Sequence, residues 1–282
     1  MPGGLAQRQA VQSPEVHADR TVTFRFRAPN AKEVSLGLEG AKGVPMQKGE
    51  QGVWSATTGP VEPDFYDYSF SVDGVDLHDP SNPEVTPNLI SVSNEVHVPG
   101  PASLPWEVND VPHGALHRHF YKSGVVGDNR DSYVYTPPAY DPAATTLYPV
   151  LYLLHGFSDD ARGWAAVGRA NVILDNLIAQ GKAKPMLLVM PLGYGAPEIL
   201  ACNGPSWRDR SLVERNFSRF RDALLTEVIP QVEKTYRAAR DRNSRAIAGL
   251  SMGLRVAPDR LEHARPLRVD RCVQCRWPGR GV

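Results

Sequence analysis

Between residues 21 and 27 apolar and polar side chains alternate, with Val22, Phe24 and Phe26 on one side and Thr23, Arg25 and Arg27 on the other. A strand shows every second side chain to the same face, so this pattern predicts a half-buried β-strand. Val34, Leu36 and Leu38 repeat it, as do Tyr66, Tyr68, Phe70 and Val72, whose run closes on Asp73-Gly74, a dipeptide suited to a tight hairpin turn. Short alternating segments separated by turn signals predict a small β-sandwich over residues 15–100. From Asp79 to Pro112 the periodicity fades and prolines multiply (Pro80, Pro83, Pro87, Pro99, Pro101, Pro105, Pro112). This stretch reads as a linker laid along a surface, with 101–114 as its connecting part.

A different rhythm follows over residues 115–253. Residues 131–138 look like a strand ending at a turn, and 148–154 (Tyr-Pro-Val-Leu-Tyr-Leu-Leu) form a continuous apolar run of the kind buried on both faces of a parallel sheet, stopping at His155-Gly156-Phe157. Apolar residues at 173, 174, 177 and 178 mark a helical face, and 186–190 mark another buried strand. Phe217, Phe220, Leu224, Leu225, Val228, Ile229 and Val232 outline a longer amphipathic helix with a bend expected near Pro230. A last short run ends at Gly249, and its residues 245–248 are expected to be a central strand. Alternating strands and helices of this kind predict an α/β domain with a parallel sheet.

Composition narrows the partners. A chain of 282 residues suggests two domains, and 31 basic against 31 acidic side chains leave no overall field favouring nucleic acid or an anionic membrane. No apolar run approaches the roughly 20 residues of a membrane span, and residues 1–20 lack the apolar core of a signal peptide. Localisation stays open between a secreted or periplasmic mature form and the cytoplasm. Three cysteines, Cys202, Cys272 and Cys275, imply no disulfide framework. His117 and His119 would share a strand face, with His113 nearby, but no cysteine or carboxylate cluster adjoins them in sequence; they read as residues of a partly exposed strand, and no metal site is assigned.

The chemistry concentrates where the last apolar run ends, at Gly249-Leu250-Ser251-Met252-Gly253. Gly-x-Ser-x-Gly after a strand is the pattern of a nucleophile elbow, in which glycines let strand and helix pass closely while the serine hydroxyl points outward. Ser251 is therefore the candidate nucleophile, with Gly249 and Gly253 as the elbow glycines. The backbone N–H groups of Met252 and of Phe157, in the His155-Gly156-Phe157 loop, are the candidate oxyanion donors.

Residues 148–157, Lys184-Pro185-Met186 with Met190-Pro191, 227–233 and 245–253 resemble the esterase-D and enterochelin-esterase group of α/β-hydrolases, and within it the feruloyl and acetylxylan esterases of the first carbohydrate-esterase family. The resemblance implies ester hydrolysis by a serine nucleophile without metal or organic cofactor, on a small-molecule or polysaccharide ester. Gly52-Val53-Trp54-Ser55, residues 64–70 and Asp79-Pro80 resemble the early-set immunoglobulin-like modules attached to glycan-active enzymes. Trp54 and Tyr66 are accordingly candidates for stacking on sugar rings, since a flat aromatic face suits the C–H side of a pyranose.

In this fold an acid and then a histidine follow the serine. After Gly253 come His263, Asp259, Glu262 and Asp270, and His263 stands only 12 positions beyond Ser251, on what should be the helix leaving the elbow. Residues 254–282 are rich in arginine and proline, lack lysine and keep no period, a composition expected of a GC-rich gene read out of frame. The chain is therefore expected to be truncated or frame-shifted after Gly253, without the triad acid and histidine, and impaired in turnover. Two functions remain open: a serine ester hydrolase, of plant-polysaccharide or of siderophore type, and a non-catalytic glycan-binding protein.

Overall fold

The computed structural model describes residues 11–201 and 208–256, and these divide into two compact units: residues 11–86 with 92–101, and residues 87–91 with 102–201 and 208–256. The first unit holds two antiparallel sheets. One has the order β1 (Glu15–Val16), β2 (Val22–Arg27), β6 (Val53–Thr57), β5 (Gln47–Lys48). The other runs β4 (Val44–Pro45), β3 (Val34–Leu38), β7 (Asp64–Val72), β10 (Ser93–Val98), β9 (Val85–Thr86), with β8 (Val75–Leu77) returning along β7. Alternation decides which side chains meet between them: Phe24 of one sheet and Leu36 and Phe70 of the other are fully enclosed, and the Phe24 and Tyr68 rings lie 4.7 Å apart. Asp73 and Gly74, both at positive φ, make the β7–β8 turn.

Strand β10 corrects the reading of residues 79–112 as linker. Asn94, Val96 and Val98 point into the core while the strand pairs with β7 from Asn94↔Tyr68 to Val98↔Asp64. The inward pattern begins on a polar residue, which hides it in the sequence. Asn94 is buried because its amide serves the backbone: its Oδ1 accepts from Asp79 N at 2.7 Å and its Nδ2 donates to Asn82 O at 3.0 Å.

The second unit is built on one sheet, ordered β11 (Ala115–Lys122), β12 (Asn129–Thr136), β14 (Leu187–Pro191), β13 (Val150–Leu154), β15 (Arg245–Gly249). β13 runs parallel to both neighbours, whereas β12 is antiparallel to β14 and to β11. The sheet is thus mixed rather than wholly parallel. The short connection between β11 and β12 permits only an antiparallel return, because a parallel neighbour needs a crossover of a dozen residues or more. β15, expected to be central, pairs only with β13 among the described residues.

Helices cover both faces. After the single turn α1 (Gly163–Ala166), α2 (Ala170–Ala179) sets Leu174 against Leu153, Leu188 and Met190. On the opposite face α3 (Arg210–Ala223) and α4 (Ile229–Thr235) set Phe217, Phe220 and Val232 against Tyr152, Val189 and Ile247. Every residue of β14 is buried, as a strand covered on both sides requires. α3 starts at Asp209, whose carboxylate accepts from the Ser211 and Leu212 amides. It does not end at Ala223: a π-helical stretch, Leu224–Val228, joins it to α4. Pro230 has no N–H to donate and its ring crowds the carbonyl four residues back, and the wider π turn is where the helix accommodates it.

Residues 101–114, expected to be a plain linker, are pinned along α2. Asn176, 1% exposed, donates to the carbonyls of Pro105 and Glu107 (both 2.8 Å) and accepts from Asn109 Nδ2 (3.0 Å). Asp175, 2% exposed, accepts from Gly114 N (2.9 Å), Tyr135 OH (2.5 Å) and His113 Nδ1 (3.0 Å). Irregular backbone can be buried only when its polar groups find partners, and these two side chains supply them. Asn176→Ala is expected to leave two carbonyls unsatisfied and cost about 2–4 kcal/mol, read as a lower denaturation midpoint of the second unit; an unchanged midpoint would mean that water replaces the amide without loss.

Candidate active site

The site grows out of the parallel pair β13 and β15. Their register runs from Val150↔Arg245 to Leu154↔Gly249, so both strands finish at the same level. Ligands of open α/β sheets bind outside the carboxyl ends of the strands, which is where the 155–157 loop and Ser251 emerge side by side. The ladder continues one step past the strands, with Leu250 N donating to Leu154 O at 3.0 Å, and the chain then turns back as Gly253 N donates to Leu250 O at 2.8 Å.

Ser251 sits at the apex of that turn with φ +48 and is exposed. Left-handed backbone is uncommon for a residue with a Cβ, and such strain is kept where the surroundings over-determine it. Here the two glycines do so by close approach. A Cβ on Gly249 would stand 2.8 Å from the Gly253 carbonyl carbon, and one on Gly253 would stand 2.5 Å from Leu154 O. Neither contact has a flexible side chain that could yield. Met252 is 3% exposed and belongs to the core between the sheet and α3, so the residue after the serine is anchored while the serine itself is presented. Chain beyond the serine forms a 3₁₀ turn, Ser251–Val256.

The facing loop is held by hydrogen bonds. His155, 3% exposed, accepts at Nε2 from the Gly193 amide (2.7 Å), which places its proton on Nδ1, the atom that meets Gly156 O at 2.7 Å. Burial pushes the His155 pKa below the ordinary imidazole range, so the ring is neutral and acts as a strut between two loops. Gly156 N donates to Asp159 Oδ2 at 3.2 Å, which fixes the peptide leading into Phe157, whose amide is the loop's candidate oxyanion donor. A Cβ on Gly156 would lie 3.4 Å from Leu250 Cδ2, so the loop passes beside the elbow with room for little more than glycine between them. Tyr194 OH donates to Asp159 O at 3.0 Å and fixes the far side of the loop.

The remaining candidates separate. Trp54 is a core residue, 7% exposed, its indole N–H donating to Ala28 O at 2.8 Å and its ring 5.4 Å from the Lys48 ammonium; a sugar has no face to stack on, and the stacking expectation for Trp54 is withdrawn. Tyr66 is half-buried against the same core, its hydroxyl donating to Glu62 O at 2.8 Å. His113 meets Asp175, whereas His117 and His119 share one strand face, both rings edge-on to Tyr236, with His117 also bonded to Thr136 and His119 to the Tyr236 hydroxyl; among the described residues no group of three or more metal-ligating side chains forms. His263, Asp259, Glu262, Asp270 and the three cysteines lie outside the described residues. Sequence reasoning missed Asp159 and Gly193, whose parts rest on contacts three and 38 positions away from their partners.

His155 makes stability depend on pH. Its folded pKa is depressed while the unfolded chain has an ordinary imidazole, so on acidification the unfolded state takes up the proton first. The contribution is therefore full above about pH 6.5 and declines as pH falls below it, by at most about 1.4 kcal/mol per pH unit. Urea midpoints between pH 7.5 and 5.5 should fall with a slope that is shallower in His155→Asn; equal slopes would place the titrating group elsewhere.

Comparison with known proteins agrees with this geometry. Residues 123–257 match the family model described as "Putative esterase". The chain is 33% identical over 247 residues, 85% of its length, to an endo-1,4-beta-xylanase/feruloyl esterase of Xylanibacter ruminicola, and 29% identical over 139 residues, 47% of its length, to an esterase of Mycobacterium tuberculosis. It spans 33% and 26% of those two proteins, so each is much longer than the part matched. The enterobactin esterase of Shigella flexneri shares the fold, with a TM-score of 0.59 at 18% identity over 84% of this chain and 65% of that one. By family model, by sequence and by fold, the region from residue 123 to the elbow resembles the esterase-D and enterochelin-esterase group of α/β-hydrolases.

Proposed function

We propose that the chain is a serine carboxylic ester hydrolase of feruloyl or acetylxylan esterase type, acting on acyl groups carried by plant polysaccharide. The observation that carries this reading is Ser251, an exposed hydroxyl at φ +48 on the carboxyl end of a strand in the buried sheet, with the 155–157 loop against its turn. Ser251 Oγ attacks the acyl carbon, the carbonyl oxygen gains negative charge, and the amides of Met252 and Phe157 receive it. Each such donor is worth about 10²–10³ in rate. Similarity to a protein named as a xylanase and feruloyl esterase supports the polysaccharide ester as substrate. Within this reading the first unit is an early-set immunoglobulin-like module over residues 15–100, with Tyr66 as its remaining candidate for sugar contact. A siderophore ester is the second reading, favoured by the fold shared with an enterobactin esterase.

A serine hydroxyl is a weak nucleophile until a base takes its proton. Among the described residues no histidine hydrogen-bonds Ser251, and His155 is committed to Gly193 and Gly156. The proposal includes slow turnover, with nucleophile and oxyanion donors that, among the described residues, stand without a positioned base. Feruloylated oligosaccharide turned over faster than triscatecholate esters would support the polysaccharide reading, and the reverse order the siderophore reading.

Ser251→Ala is expected to lower kcat by about 10⁴–10⁶ in a form that supplies the base, as for other triad serines; retention of more than a tenth of the activity would remove the nucleophile assignment. The chain itself should hydrolyse p-nitrophenyl acetate only at the residual level of about 10³ over water that oxyanion donors and binding leave. Many turnovers per second, abolished by His263→Ala, would show instead that the base lies in 257–282.

A further inference from the structure

The second unit includes a short piece of chain from far upstream, residues 87–91, whose flanks on both sides belong to the first unit. It lies on the loop that faces the elbow. Asn88 Nδ2 donates to Ser158 Oγ at 2.9 Å and reaches Asp159 Oδ1 at 3.5 Å, while Leu89 N donates to Ser158 O at 2.7 Å. Asn88 Oδ1 accepts from Ile90 N and Ser91 N, both at 3.0 Å, which closes the segment into a turn. Ser158, the residue so gripped, has φ +70. Its backbone is therefore in a conformation that the loop would leave if nothing held it. Asp159, on the other side of the grip, is the acceptor for the Gly156 amide.

These contacts form one path: Asn88 to Ser158 and Asp159, Asp159 to Gly156, and Gly156 to the peptide that carries the Phe157 N–H. Resting on the hydrolase reading above, we propose that Asn88 is a positioning residue for ester hydrolysis, aiming the Phe157 amide at the oxygen that becomes charged when Ser251 attacks. Asn88 touches neither Ser251 nor a reacting atom, and it acts through the loop. The physical requirement is one of aim. A donor serves an oxyanion only at about 2.7–3.1 Å from where that oxygen will be, so a small relaxation of the left-handed Ser158 is enough to spoil it.

Two measurements on the full chain test this. One is amide hydrogen exchange of peptides spanning 155–162, and the other is the rate at which a fluorophosphonate labels Ser251, forming the O–P bond with loss of fluoride. Asn88→Asp is the informative variant beside Asn88→Ala. It keeps the acceptor for Ile90 N and Ser91 N, so the 87–91 turn persists, but it loses the donor and sets a second carboxylate against Asp159. Both variants should speed exchange in 155–162, leave peptides outside 155–162 and 87–91 unchanged, and slow labelling about tenfold, a fraction of what losing the donor outright would cost. Unchanged exchange, or faster exchange with unchanged labelling, would overturn the role of Asn88 while leaving the hydrolase reading intact. A wild-type chain labelled no faster at Ser251 than at its other serines would overturn the hydrolase reading, and the positioning role with it.

Discussion

The candidate site depends on how closely two pieces of backbone pass each other at the end of one strand pair. Leu154 and Gly249 are register partners, and Gly253 comes back over the Leu154 carbonyl with no room for a methyl group. That approach forces the turn at Ser251 into left-handed backbone and lifts its hydroxyl clear of the sheet. The strain is tolerable because burial pins its neighbours. Met252 is locked into the apolar layer over which α3 lies, and Ile247 and Leu154 belong to the same layer. Stability of the core and presentation of the serine are therefore one arrangement described twice, the apolar side chains giving the force and the glycines giving the clearance.

Around that pair, polar side chains replace regular structure in holding the irregular parts. His155 joins the loop after β13 to the one after β14, Asn216 accepts the amides of Gly195 and Ala196, and Asp175 with Asn176 ties residues 105–114 to α2. Each is buried, and each meets more than one polar group at once. In the interior a satisfied polar group fixes geometry, whereas the same group without its partners is costly, so these positions hold loops in single conformations.

What was legible in the sequence follows the same division. Alternation exposed β2, β3 and β7, and continuous apolar runs exposed β13 and β14, because burial of one face or two writes directly into residue type. The elbow was legible since its close approach demands glycine at two fixed positions around the serine. β10 was obscured by prolines around it and by the polar Asn94 at its first inward place. The anchoring of 101–114 left no trace, since a carbonyl that accepts from Asn176 can belong to any residue. Trp54 misled for the opposite reason: the resemblance to modules of glycan-active enzymes made a large aromatic read as a surface platform, yet its indole N–H had a carbonyl to meet inside. The contacts of Asn88 with Ser158 span 70 positions, and no local pattern encodes a bond of that reach.

That reach has a consequence for how the protein comes into being on the ribosome. At about 5–20 residues per second, the chain needs about 4–14 s after making Asn88 to make Ser158. Throughout that interval Leu89 and Ile90, both still more than 40% exposed in the finished fold, trail from the nascent chain with nothing yet made for the segment to grip. The 155–159 loop, for its part, is born into surroundings that already contain its clasp. Order of synthesis thus places the vulnerable moment early, on an apolar pair open to chaperones or to neighbouring nascent chains, and spares the strained loop from ever waiting unsupported.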